Sequence, residues 1–327
     1  MHAEIKAILD RVLDGSSLTR EQAMTLAQTP PQYLPELLNA SRSVREAHRG
    51  DVVSLCAIIN AKSGRCAEDC SFCAQSVRYQ TGAQSYPLLP DQRILDGSER
   101  SAQDGVSFFC IVTSGRRAAP DDLERIRGIL QRMREAGKVR PCASLGSLDL
   151  EDLVGLREAG LIRYHHNIET ARTFYASVCT THSYDERVRT VRHAREAGLQ
   201  VCSGGILGMG ETMAQRIEMA MALRELQVDS IPLNFLNPIP GTPLAGKELL
   251  ARDEILKTVA LFRLINPEVE IRACAGREIH LGGDQGMLFD AGVDGILTGD
   301  YLTTKGTAPG KDREVIISHG LRVAPDA

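Results

Sequence analysis

The sequence predicts a (β/α)8 barrel of the TIM type that follows an N-terminal helical extension. About eight short apolar segments alternate with amphipathic segments of helical character between residues 52 and 298. A glycine lies at several joints between a helical segment and the next apolar segment. The length of 327 residues is compatible with one such barrel, since barrels of this kind occupy about 250 residues or more.

The apolar segments have the length and composition of buried strands. They cover residues 52–59, 106–113, 138–144, 161–168, 199–206, 229–236, 269–275 and 293–298. Most of the intervening segments carry acidic residues in the first turn, which the helix dipole favours. Examples are residues 120–126, 183–188 and 211–226. Repeated βα units of this kind form parallel sheets, and eight strands are enough to close a barrel.

Two kinds of connection between these segments are recognisable. Gly137, Gly160, Gly198 and Gly292 each follow an Ala at the end of a helical segment. Glycine is favoured there because it adopts the left-handed conformation of a helix C-terminus without steric cost. The stretch at residues 237–243 contains three prolines, so it predicts a rigid βα loop at the mouth of the barrel.

The segments outside the barrel are expected at both ends of the chain. Residues 1–48 have helical periodicity, and Ser17 or Thr19 is a candidate cap for an early helix. The barrel is expected to span residues 49–300. Residues 301–327 are expected to form a C-terminal segment that closes one end of the barrel.

The composition favours small-molecule chemistry in the cytoplasm. Hydrophobic residues make up 43% of the chain, charged residues 24%, and the net charge is −4. These values give no electrostatic reason to expect nucleic acid or a membrane as a partner. We find neither a signal-peptide pattern nor an apolar run of about 18 residues. In a reducing compartment, nine cysteines are expected to be free thiols and metal ligands instead of disulfides.

Three cysteines follow the first strand candidate in a C-x3-C-x2-C arrangement. They are Cys66, Cys70 and Cys73. Structural zinc requires four protein ligands, and no second Cys/His pair follows nearby. Three thiolates can instead bind three irons of a cubane cluster and leave the fourth iron open to activate a ligand. An iron–sulfur site is therefore favoured, with a zinc site and unliganded thiols as the alternatives.

Four further cysteines lie on four different strand candidates. They are Cys110, Cys142, Cys202 and Cys274. Alternate residues of every strand point into a closed barrel, so these thiols are expected to converge on a second metal site. The alternative is that each is a buried cysteine that packs as a small hydrophobic residue. Cys56 and Cys179 have no such partners and are expected to be structural.

Arg272 lies between two apolar residues of the seventh strand candidate. An unpaired arginine would be costly to bury there, so Arg272 is expected to face an anion. A thiolate-ligated cluster is one such anion. A buried Asp or Glu is the alternative.

The sequence resembles the biotin synthase family of the radical S-adenosylmethionine (SAM) superfamily over roughly residues 15–320. The cysteine trio, with Phe72 before its last member, is similar to the superfamily signature. Further matching blocks are residues 75–79, 142–148, 164–170, 201–212 and 272–278. The resemblance implies a (β/α)8 barrel that converts dethiobiotin to biotin. One cluster would cleave SAM, and a second cluster would supply the inserted sulfur.

The resemblance also implies which residues bind the two clusters. The trio would bind the [4Fe–4S] cluster, whose open iron takes the amino and carboxylate groups of SAM. The ligands of the auxiliary cluster, usually a [2Fe–2S] centre, would be Cys110, Cys142, Cys202 and Arg272. Where the familiar members of the family have Ser, this chain has Cys274.

Cys274 lies two residues from Arg272, so strand alternation directs both side chains to the same side. With the other three barrel cysteines, it would complete a four-thiol set. Such a set is enough for a four-iron auxiliary cluster, with Arg272 as a neighbouring charge in place of a ligand.

The remaining implied residues contact SAM or substrate. Glu169 would bind the SAM ribose, Arg187 would lie near the SAM carboxylate, and Asn167 would lie between SAM and dethiobiotin. Asn234 would help to position the substrate ring. The backbone near the adenine would be formed by Gly204, Ile206 and Gly208.

The resemblance further implies several partners. These are a reductant such as flavodoxin or ferredoxin, the iron–sulfur assembly machinery, and a second copy of the chain in a homodimer. Two other functions remain as alternatives from the sequence. One is another radical SAM barrel enzyme with an auxiliary cluster, and the other is a zinc-stabilised barrel that acts as a hydrolase or binding protein.

Overall fold

The centre of the molecule is a closed barrel of eight parallel strands, seen in a computed structural model that describes residues 3–324. The strands are β1 (Val52–Lys62), β2 (Phe108–Thr113), β3 (Arg140–Ser144), β4 (Arg163–His165), β5 (Gln200–Cys202), β6 (Gly205–Leu207), β7 (Ser230–Phe235), β8 (Glu270–Ala273) and β9 (Gly295–Leu297). Both β5 and β6 pair with β7, so they form one barrel strand in two parts. The barrel closes where β1 pairs with β9. The predicted fold class is confirmed.

Helices connect the strands and surround the barrel. They are α1 (Ala3–Leu13), α2 (Arg20–Ala27), α3 (Leu34–Arg49), α4 (Asp91–Gln103), α5 (Pro120–Ala136), α6 (Leu150–Glu158), α7 (Arg172–Tyr175), α8 (Tyr184–Glu196), α9 (Met213–Glu225), α10 (Arg252–Ile265), α11 (Arg277–Leu281), α12 (Met287–Asp290) and α13 (Pro309–Ser318). Short 3-10 helices cover Pro31–Tyr33 and Gly282–Gly286. Within residues 3–324, no helix has both the length and the apolar character needed to cross a membrane.

Helices α2 and α3 pack on the outside of the barrel against α9 and α10, and α1 packs on α2 and α3. Of the two candidate caps, Thr19 is the one used. Its hydroxyl accepts a hydrogen bond from the backbone of Gln22, whose side chain accepts one from the backbone of Thr19. This reciprocal pair satisfies two backbone donors that would otherwise lack partners at the start of α2.

The joints between helices and strands have the predicted geometry. Gly137, Gly160, Gly198 and Gly292 all have positive φ angles, between 60° and 113°. Residues with a Cβ are strained in this region, which explains the glycines.

The C-terminal segment contributes to both ends of the barrel and contains α13 between them. Residues 301–304 line the mouth of the barrel, and β10 (Arg322–Val323) pairs with the first two residues of β1. Residues 1–2 and 325–327, at the outer ends of the two predicted flanking segments, lie outside the described residues.

A buried ion pair joins α10 to the loop before β9. Arg263 has no exposed surface, and its guanidinium donates to Asp294 at 2.5 Å and to the carbonyl oxygen of Val269 at 2.7 Å. Asp294 also accepts from the backbone of Ile271 at 2.7 Å. Removing one partner of such a pair leaves an uncompensated buried charge.

We therefore predict that Asp294→Ala lowers the free energy of unfolding by about 3–5 kcal/mol, because Arg263 stays buried without its counter-ion. Chemical denaturation monitored by circular dichroism measures the loss. The control is Asp51→Ala, which removes an exposed partner of Arg322. Equal destabilisation by both substitutions would show that burial of the first pair is unimportant.

Candidate active site

A cavity of about 390 Å³ opens at the C-terminal ends of the barrel strands. Side chains from many βα loops line it, as is usual for active sites in this fold. Eight of the nine cysteines line this cavity. They form two sets, which we name the mouth trio (Cys66, Cys70 and Cys73) and the barrel thiols (Cys56, Cys110, Cys142, Cys202 and Cys274).

The mouth trio lies on the loop that follows β1. The backbone of this loop folds back on itself, because Cys66 N–H donates to Gln75 at 3.2 Å and Val77 N–H donates to Cys66 at 2.8 Å. Within the loop, a turn is closed by a hydrogen bond from Cys73 N–H to the carbonyl oxygen of Cys70 at 2.9 Å. These contacts bring the three thiols to the same cavity.

The two acidic residues inside the trio attach the loop to the segment before α8. Glu68 contacts Nδ1 of His182 at 2.5 Å and accepts from the Thr181 hydroxyl at 2.7 Å. Asp69 accepts hydrogen bonds from the hydroxyl and backbone of Thr180 and from the backbone of Thr181. Burial acts to raise the pKa of Asp69, but these hydrogen bonds outweigh burial and hold the pKa well below its usual value.

Cys179 lies behind the trio, with its Sγ 3.7 Å from Sγ of Cys70 and 3.2 Å from Nδ1 of His182. In the part of the chain that the structure describes, Cys179 has no partner among the strand cysteines, as expected, but it contacts the mouth trio instead. The ligand atoms of Cys70, Cys179 and His182 all lie within 4.8 Å of one another. This group shares Cys70 with the mouth trio, so the two groups cannot act as separate metal sites. The contact joins residues 109 positions apart, and no local sequence pattern indicates it.

The predicted SAM-binding polar residues lie together beside the trio. Arg187 lies 3.3 Å from the Glu169 carboxylate and donates to the carbonyl oxygen of Asn167 at 2.9 Å. Burial alone would lower the pKa of Arg187, but the Glu169 charge raises it above its usual value. Glu169 has a φ angle of 67°, which is uncommon for a residue with a side chain. Such strain is often found at functional sites.

The predicted adenine segment contributes only one of its three residues to the cavity. Ile206 lines the cavity, whereas Gly204 and Gly208 do not. A Cβ on Gly204 would lie 2.0 Å from the carbonyl oxygen of Pro232, so this glycine allows two barrel strands to approach closely. Asn234 lines the cavity, and its side chain hydrogen-bonds the backbones of Gly205 and Ala275 at 3.3 Å.

The barrel thiols come from β1, β2, β3, β5 and the end of β8. Cys110 and Cys142 are register partners on neighbouring strands, and Sγ of Cys202 lies 3.3 Å from Nδ1 of His165. Burial raises the pKa of Cys110 and Cys274 well above the usual value for a thiol. The predicted convergence of four strand cysteines is therefore seen in the structure.

Cys56 is a fifth member of this set, so the prediction that it has no partners is wrong. It packs in one hydrophobic cluster with Cys110, Cys142 and Cys274. Burial raises the pKa of Cys56 to about 12, although the nearby charge of Arg272 opposes this shift. Strand alternation could have found Cys56, because it lies on the first strand candidate and alternates with outward-facing residues.

A layer of polar side chains lies beneath the barrel thiols, and we name it the floor layer (Ser54, Arg163, Glu270 and Arg272). Glu270 accepts from Arg272 at 2.8 Å and from Arg163 at 2.9 Å. Burial acts to raise the pKa of Glu270, but the two guanidinium groups hold it well below its usual value. Arg163 also lines a concavity at the opposite end of the barrel, so the floor layer separates the two spaces.

The sequence offers two anions as partners of Arg272, a cluster or a buried carboxylate. The structure shows the carboxylate, because Arg272 contacts Glu270. The same guanidinium also donates to the Ser54 hydroxyl at 2.9 Å and to the carbonyl oxygen of Ile296 at 3.0 Å. Gly295 allows this arrangement, because a Cβ there would lie 3.1 Å from the guanidinium carbon.

The donor chemistry of the cavity fits two iron–sulfur sites. Thiolates are the usual ligands of such clusters, and the cavity has three thiols at its mouth and five deeper in the barrel. Metal binding deprotonates thiols that burial otherwise keeps neutral. Structural zinc, in contrast, would use one closed set of four ligands.

Comparison with known proteins defines the class first. The model of the radical SAM superfamily matches residues 61–223, and the model of the biotin and thiamin synthesis associated domain matches residues 232–322. The fold is shared with methylornithine synthase (TM-score 0.82, 22% identity, 97% of both chains). It is also shared with HydG, a maturase of the [FeFe]-hydrogenase (TM-score 0.85, 16% identity, 98% of this chain and 75% of that one). The molecule is thus a radical SAM barrel.

Two relatives define the family within this class. The chain is 47% identical over 323 residues to the biotin synthase of Trichlorobacter lovleyi, covering 98% of this chain and 97% of the relative. It is 48% identical over 319 residues to the biotin synthase of Geobacter sulfurreducens, covering 97% of each. The chain belongs to the biotin synthase family.

We predict that Asp69→Ala loosens the mouth trio, because it removes several hydrogen bonds to one carboxylate. Hydrogen bonds to charged groups contribute about 1.5–3 kcal/mol, so local opening should increase by about tenfold or more. Hydrogen–deuterium exchange of peptides covering residues 66–73 and 178–182 measures this opening. Asp185→Ala is the control, since its partner Arg172 is exposed. Unchanged exchange in Asp69→Ala would contradict the anchoring role.

Proposed function

We propose that the protein is a biotin synthase, which inserts sulfur into dethiobiotin to form biotin. The observation that carries this proposal is the arrangement of eight cysteines in two sets around one cavity. Sulfur insertion by radical chemistry requires a group that generates the radical and a source of sulfur close to the same substrate. Membership of the biotin synthase family gives independent support.

The mouth trio would bind the [4Fe–4S] cluster, and the nearby polar residues would bind SAM. Glu169 offers a carboxylate to the ribose hydroxyls, and Arg187 offers a guanidinium to the SAM carboxylate. The salt bridge between these two residues positions both side chains before SAM binds. Asn167 contacts both of them, which suits a position between SAM and substrate. Ile206 would lie next to the adenine, and Gly204 and Gly208 would support this segment from outside the cavity lining.

The protein must hold the substrate and exclude water, because an organic radical reacts with almost any nearby bond. The cavity walls include apolar side chains, among them Ile58, Val112 and Leu297, that suit the hydrocarbon part of dethiobiotin. Asn234 supplies an amide for the polar ring. The mouth is lined by Asn237 and Ile239 of the proline-rich loop and by the C-terminal residues 301–304, which limit access of solvent.

When bound, the two clusters would supply the electron that cleaves SAM and the sulfide that enters the product. The auxiliary cluster would be held by Cys110, Cys142 and Cys202, with either Cys274 or Arg272 as the fourth ligand. We favour Cys274, because Arg272 is already bonded to Glu270, Ser54 and Ile296. Four thiols suit a four-iron cluster, whereas the arginine would accompany a [2Fe–2S] cluster.

The proposed chemistry requires several partners. A reductant such as flavodoxin or ferredoxin would supply the electron for SAM cleavage. The iron–sulfur assembly machinery would replace the sulfur that leaves with biotin. The family resemblance is the support for a homodimer and for a location in the cytoplasm.

We predict that single substitutions separate the two tasks of the cavity. Cys70→Ala should abolish formation of 5′-deoxyadenosine, because a two-thiol site cannot hold a cubane with one open iron. Cys202→Ala should retain SAM cleavage but form no biotin, because only the sulfur-supplying site is damaged. Anaerobic incubation with SAM, dethiobiotin and reductant, analysed for both products, measures this. Equal loss of both products in Cys202→Ala would contradict two sites with divided tasks.

The iron content distinguishes the two possible auxiliary clusters. We predict about eight irons per fully loaded chain if Cys274 completes a four-thiol set, against about six for a [2Fe–2S] cluster. Iron analysis measures the number of irons per chain, and Mössbauer spectroscopy of protein enriched in the Mössbauer-active isotope of iron identifies the cluster type. Cys274→Ser should lower the iron count. A [2Fe–2S] spectrum with an unchanged count in Cys274→Ser would exclude the four-thiol set and leave the proposed activity intact.

A further inference from the structure

The barrel contains at least one thiol more than an auxiliary cluster needs. Four ligands are enough for a four-iron cluster, and three thiols with Arg272 are enough for a [2Fe–2S] cluster. The structure brings five cysteines to this part of the cavity. Cys56 is the thiol without a task in either arrangement.

Cys56 lies on the floor side of the other barrel thiols. On β1, Ile58 is the register partner of Cys110, and Cys110 is the partner of Cys142. Cys56 is one inward-facing position closer to the start of β1. Cys56 packs in one cluster with Cys110, Cys142 and Cys274. Arg272 and Arg163 of the floor layer are the cations whose charges act on its thiol. It therefore lies between the arginines below and the barrel thiols above.

We infer that Cys56 is a reserve ligand, which binds the iron that loses a ligand when a sulfide leaves the auxiliary site with the product. This inference rests on the proposed function, in which the auxiliary site gives up sulfur in every reaction. An iron that has lost a sulfide is prone to dissociate unless another donor replaces it. Cys56 can supply that donor, because it lies in the same cavity and a soft thiolate binds the iron of such a cluster better than water does.

The exchange balances without an oxidant or reductant. The departing sulfide would lose its bonds to all the irons that it bridges, one of these irons would bind Cys56 Sγ, and the thiol proton would be released to solvent. No electron is transferred in this step. The positive charge of Arg272 favours the thiolate that results. When new sulfide enters, the reverse exchange returns the proton to Cys56.

The test compares iron release after one reaction in Cys56→Ala and in the unsubstituted protein. Both are loaded with iron and sulfide, allowed one anaerobic reaction with SAM, dethiobiotin and reductant, and exposed to an iron(II) chelator. We expect equal biotin from the first reaction. We then expect the unsubstituted protein to keep its iron and to recover activity with sulfide alone. Cys56→Ala should release about one iron per chain or more and recover only with iron and sulfide together.

Ile59→Val is the matched control, because it shortens a side chain of β1 that packs against the hydrophobic core and does not line the cavity. It should behave like the unsubstituted protein. Cys56→Ser should release an intermediate amount of iron, since a hydroxyl is a weaker ligand than a thiol. SAM cleavage in each variant reports an intact mouth trio and a folded chain.

Equal iron release by Cys56→Ala and the unsubstituted protein would overturn the inference. Failure of Cys56→Ala to load the auxiliary site would also overturn it, because Cys56 would then be a permanent ligand. If the unsubstituted protein forms no biotin at all, the proposed function fails and the inference fails with it. The first-reaction yield therefore separates failure of the function from failure of the reserve role.

Discussion

The pairing of β1 with β9 is the constraint on which the rest of the structure depends. It closes the sheet, and in a closed barrel the inward side chains of distant strands share one interior. The cysteines of β1, β2, β3 and β5 and the one after β8 meet for this reason alone, although the outermost two are more than 200 residues apart in sequence. The loop that follows β1 then carries the mouth trio to the same cavity. One backbone interaction thus determines that both thiol sets line a single cavity.

Charged side chains are buried inside the closed barrel, and the contacts within the floor layer offset the cost of burying them. Two arginines and one glutamate are buried beneath the thiols, which leaves a net charge of +1 in that layer (two positive charges and one negative). Burial without partners would be costly, but each charge has a counter-ion or a backbone acceptor. The ion pairs with Glu270 offset the cost of burying the two arginines. The positive charge that remains in the floor layer favours thiolates, or an anionic cluster, above it. The guanidinium of Arg272 is held in place by these contacts, and its positive charge acts on the cavity above.

Much of this arrangement could be predicted from the sequence, because it follows from periodicity. Strand alternation with glycine at the joints indicates the barrel, and the same alternation places Cys110, Cys142, Cys202 and Cys274 inside it. Applied to Cys56, it would have identified the fifth thiol, and applied to Glu270 it would have identified the partner of Arg272. Other features could not be predicted. The contacts of Asp69 with Thr180 and of Cys70 with Cys179 join segments more than 100 residues apart, and only the three-dimensional path of the chain determines them.

The central claim is that sulfur held by the barrel thiols becomes the sulfur of biotin. The most direct measurement is a single reaction with protein whose clusters are assembled from isotopically heavy sulfide, in the absence of any other labelled sulfur. Mass spectrometry of the product reports the origin of its sulfur. The account predicts that the biotin formed carries the heavy isotope. Biotin with sulfur of natural isotopic composition would contradict it, because the sulfur would then come from a source outside the cavity.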